Sequence, residues 1–379
     1  MKVFKNKYIV LVVVALMSFS CEDYLGGDIN QDPNKTAFVP LQGTLAQVQI
    51  QLSDIQGGQF SRLNCMFTQQ VEGVARQWET FNQYNIGFAR FDFIWEDVYE
   101  NVLIEIRSME ADATENGFNH YLGVLNVLEA YTLLLATDVW GDMPYTEALQ
   151  GLDVLSPVYD SQSGVIYPRA YELLDNALSL FAGSPGPVTP GSEDVYYGGD
   201  VASWTKAVYA IRARARLHDG DYAGALADVQ QSFESAAEEM SFQYSSASPA
   251  AWFRFNRDRT GDLQFHPTMR GIMDGLNDSL RVAIFGTNYE QHEEQPYLID
   301  AYKEELISYR EIKFIEAETL LRTGGAAADV EAAYLEAITA SFEEVGLTAA
   351  DAEAYAAQAI VNPGAGSIEL EHIMTQKYI

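Results

Sequence analysis

From Leu41 onward, apolar side chains recur at three- and four-residue spacing between clusters of turn-forming residues, and few stretches alternate cleanly enough to be strands. The pattern predicts helices over about 41–56, 60–77, 91–113, 118–139, 167–182, 203–219, 222–238, 301–323, 328–345 and 349–361, and so a mainly α protein. Trp95 shares helical spacing with Ile94, Val98 and Val102 and reads as core. Two stretches interrupt the helices. One runs from Gly183 to Asp200 and carries Pro185, Pro187 and Pro190; the other runs from Phe242 to Asn288 and mixes aromatic residues, Arg and Gly. Both read as long irregular loops, where binding residues most readily sit. Neither has the low complexity of a linker, so 41–379 is expected to form a single domain.

Ahead of that domain the pattern changes. Lys2, Lys5 and Lys7 precede an apolar or small run from Tyr8 to Phe19, which ends at Ser20-Cys21. That run is well short of the roughly 20 residues needed to span a bilayer, so residues 1–20 read as a signal peptide and not as a retained anchor. A small residue followed by Cys fits a lipoprotein leader whose cleavage leaves Cys21 as an acylated N-terminus. Residues 21–40 carry turn formers and no sustained period, as expected of a tether.

Inside the domain, the helices pair into hairpins at tetratricopeptide-like spacing. Trp204 and Ala207 open a helix that Gly220-Asp221-Tyr222 turns back into Ala225, Leu226 and Val229. A second hairpin spans 309–342 around Gly324-Gly325, and a third joins His120–Val139 to Tyr171–Leu178. Their irregular spacing fits hairpins packed into a globule better than an open solenoid.

Charge and cysteine content narrow the chemistry. The chain has 54 acids against 23 bases, three of which lie in the leader, so nucleic acid and other polyanions are poor partners. With Cys21 acylated, Cys65 has nothing to pair with and reads as a small buried hydrophobe. No His-Glu-x-x-His, Cys-x-x-Cys, phosphate loop or nucleophile elbow occurs, so no cofactor or metal is expected. Arg212, Arg214 and Arg216 scatter over more than one helix face, where salt bridges to the many acids are the default.

One segment is more specific. Trp140-Gly141-Asp142-Met143-Pro144-Tyr145-Thr146-Glu147-Ala148, after an apolar helix, resembles the hallmark of SusD/RagB nutrient-binding lipoproteins. Cys21-Glu22-Asp23-Tyr24-Leu25, Asp32-Pro33-Asn34 and Tyr309–Glu318 resemble further family segments in the family's order, and the likeness spans 21–379. It implies a tetratricopeptide-containing helical fold, anchored by lipid on the outer leaflet of the outer membrane. There it would lid a SusC-type TonB-dependent transporter and deliver oligosaccharides to it without catalysis. Glu22 and Asp23 resemble the export tag of surface-exposed lipoproteins. The chain ends at Ile379, where family members continue through a further C-terminal segment, so a fragment or truncated product is expected.

Sugar binding needs flat aromatic faces for the C–H face of a pyranose, and amides, carboxylates or Arg for its hydroxyls. Trp78, Tyr84 and Trp252 are the candidate stacking residues, with Arg76, Asn82 and Asn256 as hydrogen-bonding partners; the alternative is that these residues anchor loops on the helices. Trp140, Gly141, Asp142, Pro144 and Tyr145 are expected to be structural, because Gly and Pro enforce a sharp turn at a helix end. Two rival functions stay open, a surface glycosidase and a scaffold for protein or peptide partners. Adjacent pairs such as Glu293-Glu294 and Glu304-Glu305 are more simply read as solvated faces than as a catalytic pair.

Overall fold

A computed structural model describes residues 41–285 and 298–379. The leader, Cys21, the tether and Glu293-Glu294 lie outside the described residues. Helix α1 (Leu41–Gly57) is followed by α2 (Gln59–Phe67), strand β1 (Val71–Gly73), α3 (Arg76–Asn82) and α4 (Asp92–Glu96). A π-helical stretch, Asp97–Leu103, joins α4 to α5 (Ile104–Asn116), and α6 (Asn119–Trp140) and α7 (Tyr167–Ala182) follow.

Helix α6 runs through the main core. Tyr121, Leu125, Leu128, Leu133 and their neighbours are buried on all sides, as expected of a helix apolar around its whole circumference. It is long and apolar enough to cross a membrane, but most of it is packed inside the protein.

The tetratricopeptide-like hairpins are all present. Helix α6 packs on α7, α8 (Val201–Asp219) on α9 (Tyr222–Val229), and α13 (Tyr309–Thr323) on α14 (Ala327–Glu344). Asp200 caps α8 by accepting from the amides of Ala202 and Ser203, and Gly220, at φ 82°, closes it in the left-handed region that costs glycine least. The three Arg of α8 are held by acids: Arg212 by Asp228 and Asp175, Arg214 by Glu311, and Arg216 by Asp228 and Asp221.

Several boundaries differ from the sequence reading for local reasons. The helix expected over 60–77 stops at Phe67; Gln69 turns the chain at φ 62°, and β1 then pairs antiparallel with β3 (Leu263–Phe265). The helix expected over 222–238 stops at Val229, where the Ser232 hydroxyl takes the Val229 carbonyl at 2.8 Å and competes with the helix ladder. The start of the helix expected over 301–323 is a strand, β4 (Lys303–Ile307), paired antiparallel with β2 (Met240–Gln243). The stretch from 242 to 285 also holds three short helices, α10 (Ala251–Asp258), α11 (Pro267–Gly275) and α12 (Ser279–Phe285). Helices α15 (Ala349–Ala356) and α16 (Leu370–Tyr378) end the chain, and Leu41–Ile379 form one compact unit.

Two smaller apolar clusters flank the main core. Phe314, Tyr334, Phe342 and Tyr355 centre one of them; Leu63, Trp78, Phe81, Phe265 and Met273 centre the other. The loop 183–200 is tied down by Asp194, which accepts from Gln49 and from the Trp204 indole, each at 2.7 Å, and from the Gly199 amide at 2.8 Å. It is a packed strut in the main core.

Candidate functional site

The last turns of α1, the start of α2, the α4–π junction and α10 surround a cleft of about 440 Å³. Asp54, Arg62, Phe93, Asp97, Arg254 and Phe255 give it its chemistry. Asp54 accepts from the Tyr244 hydroxyl at 2.6 Å and from Arg254 at 2.8 Å, so both of these polar groups are oriented before any ligand arrives. Arg62 is buried, sits over the Phe255 ring at 4.5 Å and reaches the Ala251 carbonyl at 3.4 Å. Burial, reinforced by Arg254, lowers its pKa to about 10, which leaves it charged at neutral pH. Burial raises the pKa of Asp97, while the hydrogen bond from Asn101 at 2.7 Å opposes the shift. Phe93 is partly exposed on the wall, and on the adjoining segment Phe88 is 89% exposed. Carboxylates and guanidiniums are balanced here, and aromatic surface lies beside them.

The six residues proposed from sequence do not form one site. Trp78 is 1% exposed, edge-to-face with Phe81 and Phe255 at 5.5 and 5.2 Å, and therefore a core residue with no face for a sugar. Trp252 is half-buried, donates its indole to Ser61 at 3.1 Å and lines a different cavity, so it anchors α10. Arg76 pairs with buried Asp262 and donates to the Thr260 carbonyl at 3.2 Å, Asn82 accepts from the Gly73 amide at 3.4 Å, and Asn256 is buried. These contacts commit Arg76, Asn82 and Asn256 to holding α3 and α10. Only Tyr84 presents an open ring: it is 69% exposed, has φ 57° and stacks on Phe67 at 5.8 Å with a 14° interplanar angle. The sequence reading missed Asp54, Arg62, Phe93 and Asp97; Arg254 and Phe255 lie inside the stretch from Phe242 to Asn288 that it reads as mixing aromatic residues and Arg.

The Trp140–Tyr145 segment forms a pinned turn. Gly141, at φ 75°, ψ −128°, takes a conformation that side-chain-bearing residues rarely adopt, and its amide and carbonyl are both held by Thr137 at 2.8 Å. Asp142 accepts from the Gln162 amide at 2.9 Å, and the Pro144 carbonyl takes the Tyr99 hydroxyl at 2.7 Å. Buried Asp160 accepts from the amides of Tyr145 and Thr146, and Trp140 stacks edge-on against Trp95 at 5.2 Å. The Tyr145 hydroxyl donates to Glu129 at 2.9 Å and accepts from Arg169 at 3.0 Å.

Beside this turn, α5 and α6 wall a wider cleft of about 700 Å³ that contains Glu110 and Glu129. Burial first, and then Glu129, push the Glu110 pKa up to about 8.

The chain belongs to the SusD-like family, described as starch-binding and associating with the outer membrane, whose sequence profile matches residues 33–305. Solved structures agree on the fold. A SusD/RagB family protein from Bacteroides thetaiotaomicron is similar with a TM-score of 0.75 at 21% identity, over 90% of this chain and 84% of that one. A chitin-binding protein is similar at 0.73 and 19%, over 89% and 83% of the two chains. A SusD homolog from Bacteroides fragilis gives 0.67 and 20%, over 89% and 83%. No curated protein sequence matches.

Proposed function

We propose that this protein captures an oligosaccharide at the bacterial surface, in the cleft between α1 and α10, and passes it to a SusC-type TonB-dependent transporter. The observation that carries the reading is the pairing of Phe93 with the oriented Asp54–Arg254 couple in one open cleft, within a family described as starch-binding. An aromatic ring takes the apolar face of a sugar while fixed charged groups take its hydroxyls. Tyr84 and Phe88, exposed on the segment leading to α4, extend the aromatic surface available to a longer glycan. The leader and Cys21 support anchoring by lipid in the outer membrane, facing outward.

The glycosidase reading is disfavoured by the carboxyls themselves. Carboxylate oxygens of Glu305 and Glu344 lie within 4.8 Å of each other, and Lys303 and Arg310 pair with both, whereas hydrolysis needs about 5 Å or more between two carboxyls to admit the scissile bond.

The test is calorimetric titration of purified protein with a panel of oligosaccharides, together with Phe93→Ala and Arg254→Ala. Each variant is expected to weaken binding about tenfold, which corresponds to roughly 1.4 kcal/mol. Reducing-end release from the same panel should stay at background, and the transporter should co-purify from membranes. Binding unaffected by both substitutions would place the ligand elsewhere; hydrolysis would make the protein an enzyme.

A further inference from the structure

On the far side of β4, carboxylate oxygens of Glu239, Glu305 and Glu344 lie within 4.8 Å of one another. Glu239 precedes β2, Glu305 is on β4, and Glu344 ends α14, so three separate elements converge on the spot. Two cations answer them. Lys303 Nζ lies 2.7 Å from Glu239, 3.5 Å from Glu305 and 3.8 Å from Glu344. Arg310 lies 2.7 Å from Glu305 and 3.5 Å from Glu344. Three carboxyls thus face two cations, and burial first, then Glu305, push the Glu344 pKa up to about 8.

The hydrogen bonding is also incomplete. The Glu305 side chain is 5% exposed, yet its Oε1 accepts no hydrogen bond, and Arg310 Nη1 donates none. Lys303 Nζ at 3.5 Å gives that oxygen an ion pair without a hydrogen bond, so its desolvation is only partly offset. Glu305 and Glu344 also line a cavity of about 350 Å³, which leaves room for water molecules beside them. The Lys303 side chain is 31% exposed on a flexible stem and can leave for solvent.

We infer that Glu239, Glu305 and Glu344 form a calcium-binding site in which Lys303 occupies the place of the ion. The donors are all hard carboxylate oxygens, the class that calcium and magnesium prefer. Calcium–oxygen distances of about 2.3–2.6 Å put opposed ligands up to ~5 Å apart, so oxygens within 4.8 Å need only small adjustments. Magnesium demands a tighter octahedron and gives up its waters reluctantly. A doubly charged ion in place of the ammonium balances the three carboxylates and Arg310, supplies Glu305 Oε1 with a partner, and ties the β2–β4 sheet to the end of α14.

Calcium chloride titrated into the metal-stripped full chain should give one saturable site by calorimetry, and terbium should luminesce through Tyr302, which lines the same cavity. Calcium should also raise the melting temperature. Glu344→Gln, on a partly exposed residue, is expected to lower the affinity by about tenfold or more. Lys303→Gln removes the competing ammonium and is expected to raise affinity several-fold. Absence of a saturable site overturns the inference. So does calcium binding that Glu344→Gln leaves unchanged, since the ion would then sit elsewhere on the acidic surface, and so does weaker binding in Lys303→Gln, since Lys303 would then support the site.

Discussion

Trp78, inside a short helix, and Tyr84, just beyond its end, meet opposite fates. Trp78 fills the core beneath α3, whereas Tyr84 stands out of it on a left-handed backbone. Trp78→Ala should cost about 3–5 kcal/mol through the cavity it leaves. Tyr84→Ala should stay within about 1 kcal/mol of the parent while weakening glycan binding. Urea unfolding beside glycan titration separates the two, and a Trp78→Ala protein of parental stability would refute its burial. In sequence the two rings look alike, because both sit among Arg, Gln, Glu and Asn. A helix of seven residues is too short for periodicity to declare its inner face; the three-residue spacing of Trp78 and Phe81 was the available sign. Asp54 and Asp97 could not be found that way, since what marks them is the arrival of α10 from nearly 200 residues along the chain.

At the level of elements, the long helices were legible because each buries a stripe over several turns; α7 was expected over 167–182 and spans Tyr167–Ala182. What was lost is short. Strands of three to five residues and helices such as α10 and α12 owe their form to partners distant in sequence. Burial of chemistry also belongs to this scale, since α5 and α6 press Glu110 against Glu129. The folded-state pKa of Glu110, about 8, lies above its ordinary value of 4.5, so the native state holds a proton that the unfolded chain releases. Stability from this group is therefore fully present below pH 4.5 and is lost as pH rises through about 8. Glu110→Gln should flatten that decline, a relative gain on the order of 2 kcal/mol at pH 9 over pH 5. Thermal melts of parent and variant across that range check it; parallel curves would show that the folded state does not raise the Glu110 pKa.

For the whole molecule, the family follows from one turn and a few helical hairpins, and the hallmark segment turns out to be held by residues from α6, the π-helical stretch and the loop that returns to α7. Function is less legible, because the cleft is assembled from helix ends that lie far apart in sequence. The acidic surface that argues against polyanions is the same surface that makes a divalent ion a natural guest.

Helix α6 has a second consequence under the export proposed for this chain. Before it folds, this apolar stretch must pass through the secretion channel, where it is long enough to be mistaken for a stop-transfer segment and left behind in the inner membrane. Glu129, near its middle, is the residue that the folded protein buries against Tyr145, and in lipid it would cost about 3 kcal/mol. Glu129→Leu should accordingly strand part of the newly made chain in the inner membrane, where cell fractionation would find it, and parental sorting of that variant would refute the idea. Under that proposal one acid serves twice, first by keeping α6 moving across the membrane and then as the anchor for Tyr145.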